Sequence, residues 1–114
     1  MNEQTCRVIE DYESAYPDPL NLKTGETVSL GERDDEFPGW VMATDSNGKA
    51  GWVPETYLEI YGDMGTMVRD YDATELTVSK GEVLRIIDEE SEWVRCIAAD
   101  GKTGWIPLEK VDLI

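Results

Sequence analysis

The sequence contains no histidine, only two cysteines, and 10 lysine and arginine residues against 25 aspartate and glutamate residues. Without histidine, no side chain has an ordinary pKa suited to acid–base catalysis near neutral pH. The chain also has no activated nucleophile with a base beside it and no glycine-rich loop that would cradle a phosphate. The sequence therefore predicts a protein that is not an enzyme and uses no cofactor.

The two cysteines, Cys6 and Cys96, do not form a CxxC motif, and no histidine accompanies them. Their spacing fits neither a metal site nor a redox site, so we expect no metal. We interpret Cys96 as a small buried thiol in a strand. Two unpaired thiols, together with the lack of an apolar N-terminal segment, predict a reduced, cytoplasmic protein.

The formal net charge is -15, and both halves of the chain are acidic. An acidic surface repels phosphate groups, so the composition predicts no binding to nucleic acids or to anionic membranes. It favours instead a protein or peptide partner that carries lysine or arginine. The alternative, in which the acidity only keeps the protein soluble, fits the composition equally well. We expect a monomer.

The chain is duplicated. Residues 48–58 (GKAGWVPETYL) return near the C-terminus as residues 101–111 (GKTGWIPLEKV). Earlier residues also align, at a separation of 53 for Trp40 with Trp93 and Pro54 with Pro107, of 56 for Gly25 with Gly81, and of 59 for Tyr12 with Tyr71. The separation changes only in polar segments rich in turn-forming residues, which is where repeated domains tolerate insertions. We therefore predict two domains, residues 1–62 and residues 63–114.

Short runs of alternating apolar and polar residues in each copy predict strands, and the Asn47-Gly48 and Asp100-Gly101 pairs predict hairpin turns. Five such strands in each copy predict an all-β protein made of two small antiparallel barrels. Residues 61–65 (YGDMG) are predicted to connect the two barrels. This connection spans at most about 18 Å, so we expect the barrels to form a rigid pair.

Each copy resembles a Src homology 3 (SH3) domain over residues 5–60 and 66–114. The resemblance rests on the segments VIEDY (residues 8–12) and MVRDY (residues 67–71), a Lys-x-Gly-Glu or Lys-Gly-Glu turn, a tryptophan after an acidic loop, and a Gly-Trp-aliphatic-Pro segment. It implies two consecutive SH3-like five-stranded antiparallel barrels. SH3 domains bind proline-rich segments in the polyproline II form between aromatic rings.

The resemblance also implies which residues would bind such a peptide. In the first copy the matching aromatic and proline residues are Tyr12, Trp40, Pro54 and Tyr57, joined by Trp52 and by the acids Glu13, Asp18, Asp35 and Glu36. In the second copy they are Tyr71, Trp93 and Pro107, with Glu75 as the loop acid. Trp52 and Trp105 are equally compatible with gripping a partner and with packing on a barrel.

Several positions depart from the family pattern. Glu10 and Arg69 stand where the family has its first tyrosine, Lys110 where it has its last, and Thr56 where an asparagine is common. The leading hypothesis is a non-enzymatic interaction module whose first domain binds an extended, proline-containing, basic peptide, with Trp40 contributing more than Trp93. The alternative is a structural tandem unit with occluded or degenerate grooves that docks rigidly on a partner.

Overall fold

The computed structural model describes residues 4–14 and 19–114. In chain order the strands are β1 (Gln4–Val8), β2 (Asn21–Leu22), β3 (Thr27–Arg33), β4 (Trp40–Thr44), β5 (Ala50–Pro54), β6 (Leu58–Tyr61), β7 (Met64–Met67), β8 (Tyr71–Asp72), β9 (Val83–Glu90), β10 (Trp93–Ile97), β11 (Thr103–Pro107) and β12 (Val111–Leu113). Short 3-10 helices at Glu55–Tyr57 and Leu108–Lys110 follow Pro54 and Pro107. None of the described residues belongs to a helix long and apolar enough to cross a membrane. The all-β prediction is confirmed.

The chain divides into two compact units. The first, which we call the split barrel, combines the described residues of Met1–Asp18 with Thr74–Ile114. Its antiparallel sheet has the strand order β11-β10-β9-β1-β12. The second, which we call the contiguous barrel, is Pro19–Ala73. Its sheet has the order β5-β4-β3-β7-β6, and β2 and β8 form a separate two-stranded ribbon. The prediction of two five-stranded antiparallel barrels is confirmed.

Each barrel takes its first strand from the other copy of the repeat. β1 belongs to the first copy but pairs with β9 and β12 of the second. β7 belongs to the second copy but pairs with β3 and β6 of the first. The compact units therefore differ from the predicted division into residues 1–62 and 63–114. The exchange is possible because the hydrogen bonds of a sheet join backbone groups, which both first strands provide.

The predicted connection between the barrels is a hairpin inside the contiguous barrel. Tyr61 ends β6 and pairs with Met64, which begins β7. Gly62, in the turn between them, has φ 59°, in the left-handed region that glycine adopts at little cost. The reach of residues 61–65 therefore does not limit the distance between the barrels. The expected rigid pair stays a prediction.

Inward-facing residues of alternating strand positions form the core of each barrel. In the split barrel the buried set is Cys6, Val8, Leu76, Val78, Leu84, Val94, Cys96, Ile106 and Val111. In the contiguous barrel it includes Leu20, Leu22, Val28, Val41, Ala43, Val53, Leu58 and Met67. Burial raises the pKa of the Cys6 and Cys96 thiols above the ordinary value, so both stay protonated near neutral pH, as expected for Cys96 as a buried thiol.

A tight turn places the tryptophan at the start of β4 and of β10. The residue just before the tryptophan has a left-handed backbone in both barrels, with φ 99° at Gly39 and φ 72° at Glu92. In this conformation its carbonyl accepts the N–H of the residue after the proline, at 2.8 Å from Glu55 and 2.9 Å from Leu108. Glutamate pays a steric cost in this backbone that glycine does not.

The substitution Glu92→Gly should therefore stabilise the split barrel. The left-handed conformation costs a residue with a Cβ roughly 1 kcal/mol, and Glu92 is exposed, so little packing is lost. We expect a higher midpoint of denaturant unfolding for the split barrel. The matched control, Gly39→Ala, should lower the stability of the contiguous barrel. Loss of stability in Glu92→Gly would contradict this reading of the turn.

Candidate functional site

The strand exchange distributes the predicted site residues over two groups, one in each barrel, which we call rows. Because Tyr12 follows β1, it lies in the split barrel with Trp93, Pro107 and Glu75. Because Tyr71 follows β7, it lies in the contiguous barrel with Trp40, Pro54 and Tyr57. Tyr12 and Trp40, which were expected to share the first groove, are thus parts of different units. Each row contains one tyrosine from the other copy of the repeat.

The row of the split barrel is built around Tyr12 and Trp93. Their ring centroids are 6.1 Å apart and their planes make an angle of 82°, the edge-to-face arrangement that aromatic pairs favour. The Tyr12 hydroxyl donates a 2.7 Å hydrogen bond to Oε1 of Glu75. Pro107 lies opposite Trp93 in the β10–β11 ladder. Tyr12, Trp93 and Glu75 are partly exposed, so all three can meet a ligand.

Glu75 is held in place by the backbone of its own loop. The Trp105 N–H donates to the Thr74 carbonyl at 2.9 Å, and the Leu76 N–H donates to the Trp105 carbonyl at 3.2 Å. The loop crosses β11 at Gly104, where an added Cβ would lie 2.9 Å from Glu75 C, Leu76 N and Thr74 O. The glycine of the Gly-Trp step is therefore needed for the close approach of the loop.

The split barrel also contains an ion pair. Nζ of Lys110 lies 3.3 Å from Oε2 of Glu10. Both positions carry tyrosine in the pattern that the sequence resembles, so an ion pair stands here where two aromatic walls were expected. From the sequence, Glu10 and Lys110 were interpreted as two separate losses of a tyrosine, because they belong to different copies. Their opposite charges were the available signal that they form a pair.

The aromatic residues of the contiguous barrel's row are almost fully buried. Tyr57 and Tyr71 make an edge-to-face contact at 5.4 Å, and the Tyr71 hydroxyl donates to the Trp52 carbonyl at 2.9 Å. The guanidinium of Arg69 lies 4.2 Å from the centroid of the Tyr57 ring, a cation–π contact. Trp40, Tyr57 and Tyr71 are only 4%, 3% and 4% exposed. Little of these rings is accessible.

The pattern of a variant SH3 domain matches this chain twice, over residues 5–61 and 66–114. The chain belongs to the variant SH3 domain family. SH3 domains are non-catalytic modules of protein interaction, so that part of the functional prediction is confirmed.

The chain is similar to segments of larger proteins. It is 26% identical over 118 residues to the mouse (Mus musculus) SH3 and PX domain-containing protein 2B. This alignment covers 88% of this chain and 12% of the mouse protein. It is 36% identical over 53 residues to the human (Homo sapiens) guanine nucleotide exchange factor DBS, covering 46% of this chain and 5% of that protein. It is 33% identical over 86 residues to the high osmolarity signaling protein SHO1 of Zygosaccharomyces rouxii, covering 64% of this chain and 23% of that protein. No solved structure matches the chain.

The remaining predicted site residues are three described acids, Asp18 and Trp52. Glu13, Asp35 and Glu36 are exposed, and Asp18 lies outside the described residues. Trp52 is partly buried, whereas its counterpart Trp105 is only 3% exposed. Little of the Trp105 side chain is therefore accessible to a partner. Of the predicted acids that the structure describes, Glu75 alone contacts an aromatic residue of a row through a described hydrogen bond.

Gly104→Ala should destabilise the split barrel and displace Glu75. The new Cβ would meet three backbone atoms at 2.9 Å, so the loop itself would have to move. We expect a loss of about 1 to 3 kcal/mol in the free energy of unfolding, together with changed NMR shifts of the Tyr12 and Trp93 side chains.

The control for this substitution is Gly51→Ala in the contiguous barrel. There the nearest atom to an added Cβ is Cβ of Leu20 at 3.2 Å, a side-chain atom at a longer distance. The loss of stability should therefore be smaller. Equal losses from the two substitutions would show that the backbone crossing at Gly104 has no special role.

Proposed function

We propose that the split barrel binds an extended, proline-containing peptide that also carries arginine or lysine. The observation that supports this is the grouping of Tyr12, Trp93 and Glu75, which are partly exposed, beside the buried Pro107. Two flat rings beside a proline offer a large contact area at little cost in side-chain entropy. A polyproline II segment is already extended and loses little further entropy when it binds.

The ion pair between Glu10 and Lys110 restricts the ligand that we propose. Where Glu10 and Lys110 form their 3.3 Å contact, a proline would have no aromatic ring to pack on. The row can therefore take one proline against the faces of Tyr12 and Trp93 that point away from the contact between the two rings, next to the carboxylate of Glu75. We expect a short ligand and an affinity weaker than that of a groove with all its aromatic walls.

Charge should direct the ligand to this surface. The net charge of -15 attracts basic peptides from solution and speeds their association, and this attraction weakens as salt is added. Glu75 lies beside Tyr12 at a fixed distance, so it is the carboxylate that we place next to the ligand cation. The aromatic contacts supply most of the affinity, and the charges supply orientation and rate.

We propose a structural role for the contiguous barrel. Its aromatic residues are engaged by one another and by Arg69, and Trp40 is almost fully buried. This proposal moves the site from Trp40, which the sequence favoured, to Trp93. The alternative of a structural unit with an occluded groove then applies to the contiguous barrel only. The monomeric state and the cytoplasmic location that the sequence predicts stay predictions.

Trp93→Ala should abolish peptide binding. Truncating a central aromatic residue of an interface costs at least about 2 kcal/mol, or roughly thirtyfold in affinity. The measurement is an NMR titration with a synthetic Pro-x-x-Pro peptide that contains one arginine. The matched variant, Trp40→Ala, should destabilise the contiguous barrel but leave the affinity of the folded protein unchanged. Loss of binding only in Trp40→Ala would return the site to the contiguous barrel.

Glu75→Gln should weaken binding of the arginine-containing peptide by up to about fivefold, since an exposed charge pair contributes at most about 1 kcal/mol. Glutamine can still accept the hydrogen bond from Tyr12, so the row should keep its geometry. A peptide with citrulline in place of arginine should bind both proteins equally. Glu36→Gln, in the contiguous barrel, is the control and should have no effect. Equal weakening of both peptides by Glu75→Gln would contradict the pairing with arginine.

A further inference from the structure

We propose that the exchange of first strands is specified by the side chains at two pairs of equivalent positions, 6 with 65 and 10 with 69. In each pair the residue found in a barrel fits that barrel, and the residue from the other copy does not. One pair selects by volume and the other by charge. The two copies are therefore not interchangeable, and β1 is directed to the split barrel and β7 to the contiguous barrel.

Selection by volume operates at positions 6 and 65, which are equivalent at the separation of 59. An added Cβ at Gly65 would lie 3.1 Å from Cδ2 of Leu58 and 3.4 Å from Cδ1 of Leu30. Cysteine brings that Cβ and a sulfur beyond it, so Cys6 would be crowded in the contiguous barrel.

The split barrel has the opposite requirement. There Cys6 is fully buried, in the same core cluster as Cys96. A glycine at this place would remove the thiol and leave a void in the core, which destabilises a packed interior. If β1 and β7 returned to their own copies, Cys6 would crowd the core of the contiguous barrel. Gly65 would leave a void in the core of the split barrel.

Selection by charge operates at positions 10 and 69. In the split barrel, Glu10 pairs with Lys110 at 3.3 Å. In the contiguous barrel, the position equivalent to Lys110 is Tyr57, and Arg69 lies 4.2 Å from its ring centroid. If each strand returned to its own copy, Arg69 would face Lys110, a repulsive pair. Glu10 would face the electron-rich ring of Tyr57, which attracts cations and repels anions.

One contact that both exchanged strands make does not discriminate between the barrels. Asp11 accepts the Lys80 N–H at 2.7 Å, and Asp70 accepts the Thr24 N–H at 2.8 Å. These are the same contact in two barrels, because both aspartates bind the turn before the next long strand. The Thr24 N–H and hydroxyl hold the pKa of Asp70 below its usual value. The shared contact supports either arrangement, so the choice depends on the positions at which the copies differ.

The test uses a competition between two disulfides. In the split barrel Arg7 lies opposite Asp112, and in the contiguous barrel the equivalent pair is Thr66 opposite Glu59. Strand exchange therefore places residue 7 beside residue 112, whereas unexchanged strands would place it beside residue 59. Opposed residues in an antiparallel pair have Cα atoms about 4.5 to 5.5 Å apart, which permits a disulfide. Arg7, Asp112 and Glu59 are exposed, so cysteine can replace them.

The full chain carrying R7C, E59C and D112C is oxidised at low concentration, and the disulfides of the monomer are mapped by mass spectrometry. We expect the 7–112 disulfide to predominate. Cys6 and Cys96 are buried and should stay reduced. Predominance of the 7–59 disulfide would overturn the proposal, because it would place each first strand with its own copy.

Two sets of further substitutions test which side chains make the choice. E10R with R69E reverses the charge selection, and C6G with G65A reverses the volume selection. Each set should move the ratio of the 7–112 to the 7–59 disulfide toward 7–59, by roughly tenfold for the charge set. All four substitutions together should make 7–59 the main product.

The charge set keeps the test decisive if the volume set fails to fold, because Glu10 and Arg69 are exposed and their replacement leaves both cores intact. A ratio unchanged by the charge set would contradict selection by charge. An unchanged ratio in a folded protein with all four substitutions would overturn the whole proposal. These readouts involve no peptide, so they are independent of the proposed binding function.

Discussion

Each barrel is complete only when one strand lies between two particular neighbours. β1 fills this place between β9 and β12, and β7 fills it between β3 and β6. An empty place would expose unpaired backbone groups on two strands. A domain of about 55 residues buries only roughly 60% of its unfolded surface, so it has little stability to spare for such a defect. The copy that supplies the missing strand also decides the composition of both rows of aromatic residues.

The exchanged strands determine which residues form each row, because a tyrosine follows each first strand and enters the same barrel. Tyr12 reaches Trp93 and Glu75, and Tyr71 reaches Tyr57 and the carbonyl of Trp52. The first copy keeps more of the family's aromatic residues, but most of them lie in the contiguous barrel. The accessible row lies in the split barrel. In the contiguous barrel Trp40, Tyr57 and Tyr71 are almost fully buried, and Tyr57 packs on Tyr71. In the split barrel fewer rings remain, but they are partly exposed and lie beside a carboxylate.

The residues that depart from the family pattern acquire a structural meaning through the exchange. Glu10 and Arg69 were interpreted from the sequence as lost aromatic walls. In the structure Glu10 has an ionic partner in Lys110, and Arg69 covers the face of Tyr57. A substitution that weakens a peptide groove can thus contribute to the choice of strand partner. Family comparison of one domain at a time does not reveal such a pair, because its members lie in different copies.

The sequence by itself determined the duplication, the strands and the turns, because these depend on local patterns such as the Asn47-Gly48 pair and the Gly-Trp-aliphatic-Pro segment. It also identified Trp93, Pro107, Glu75 and Tyr12 as candidate residues, but it could not group them correctly. Only the tertiary structure decided that β1 joins β9 and β12. Backbone hydrogen bonds in a sheet do not depend on the side chains, so similar strands can compete for one place. The choice between them rests on contacts across long stretches of chain, such as Glu10 with Lys110, which no local pattern encodes.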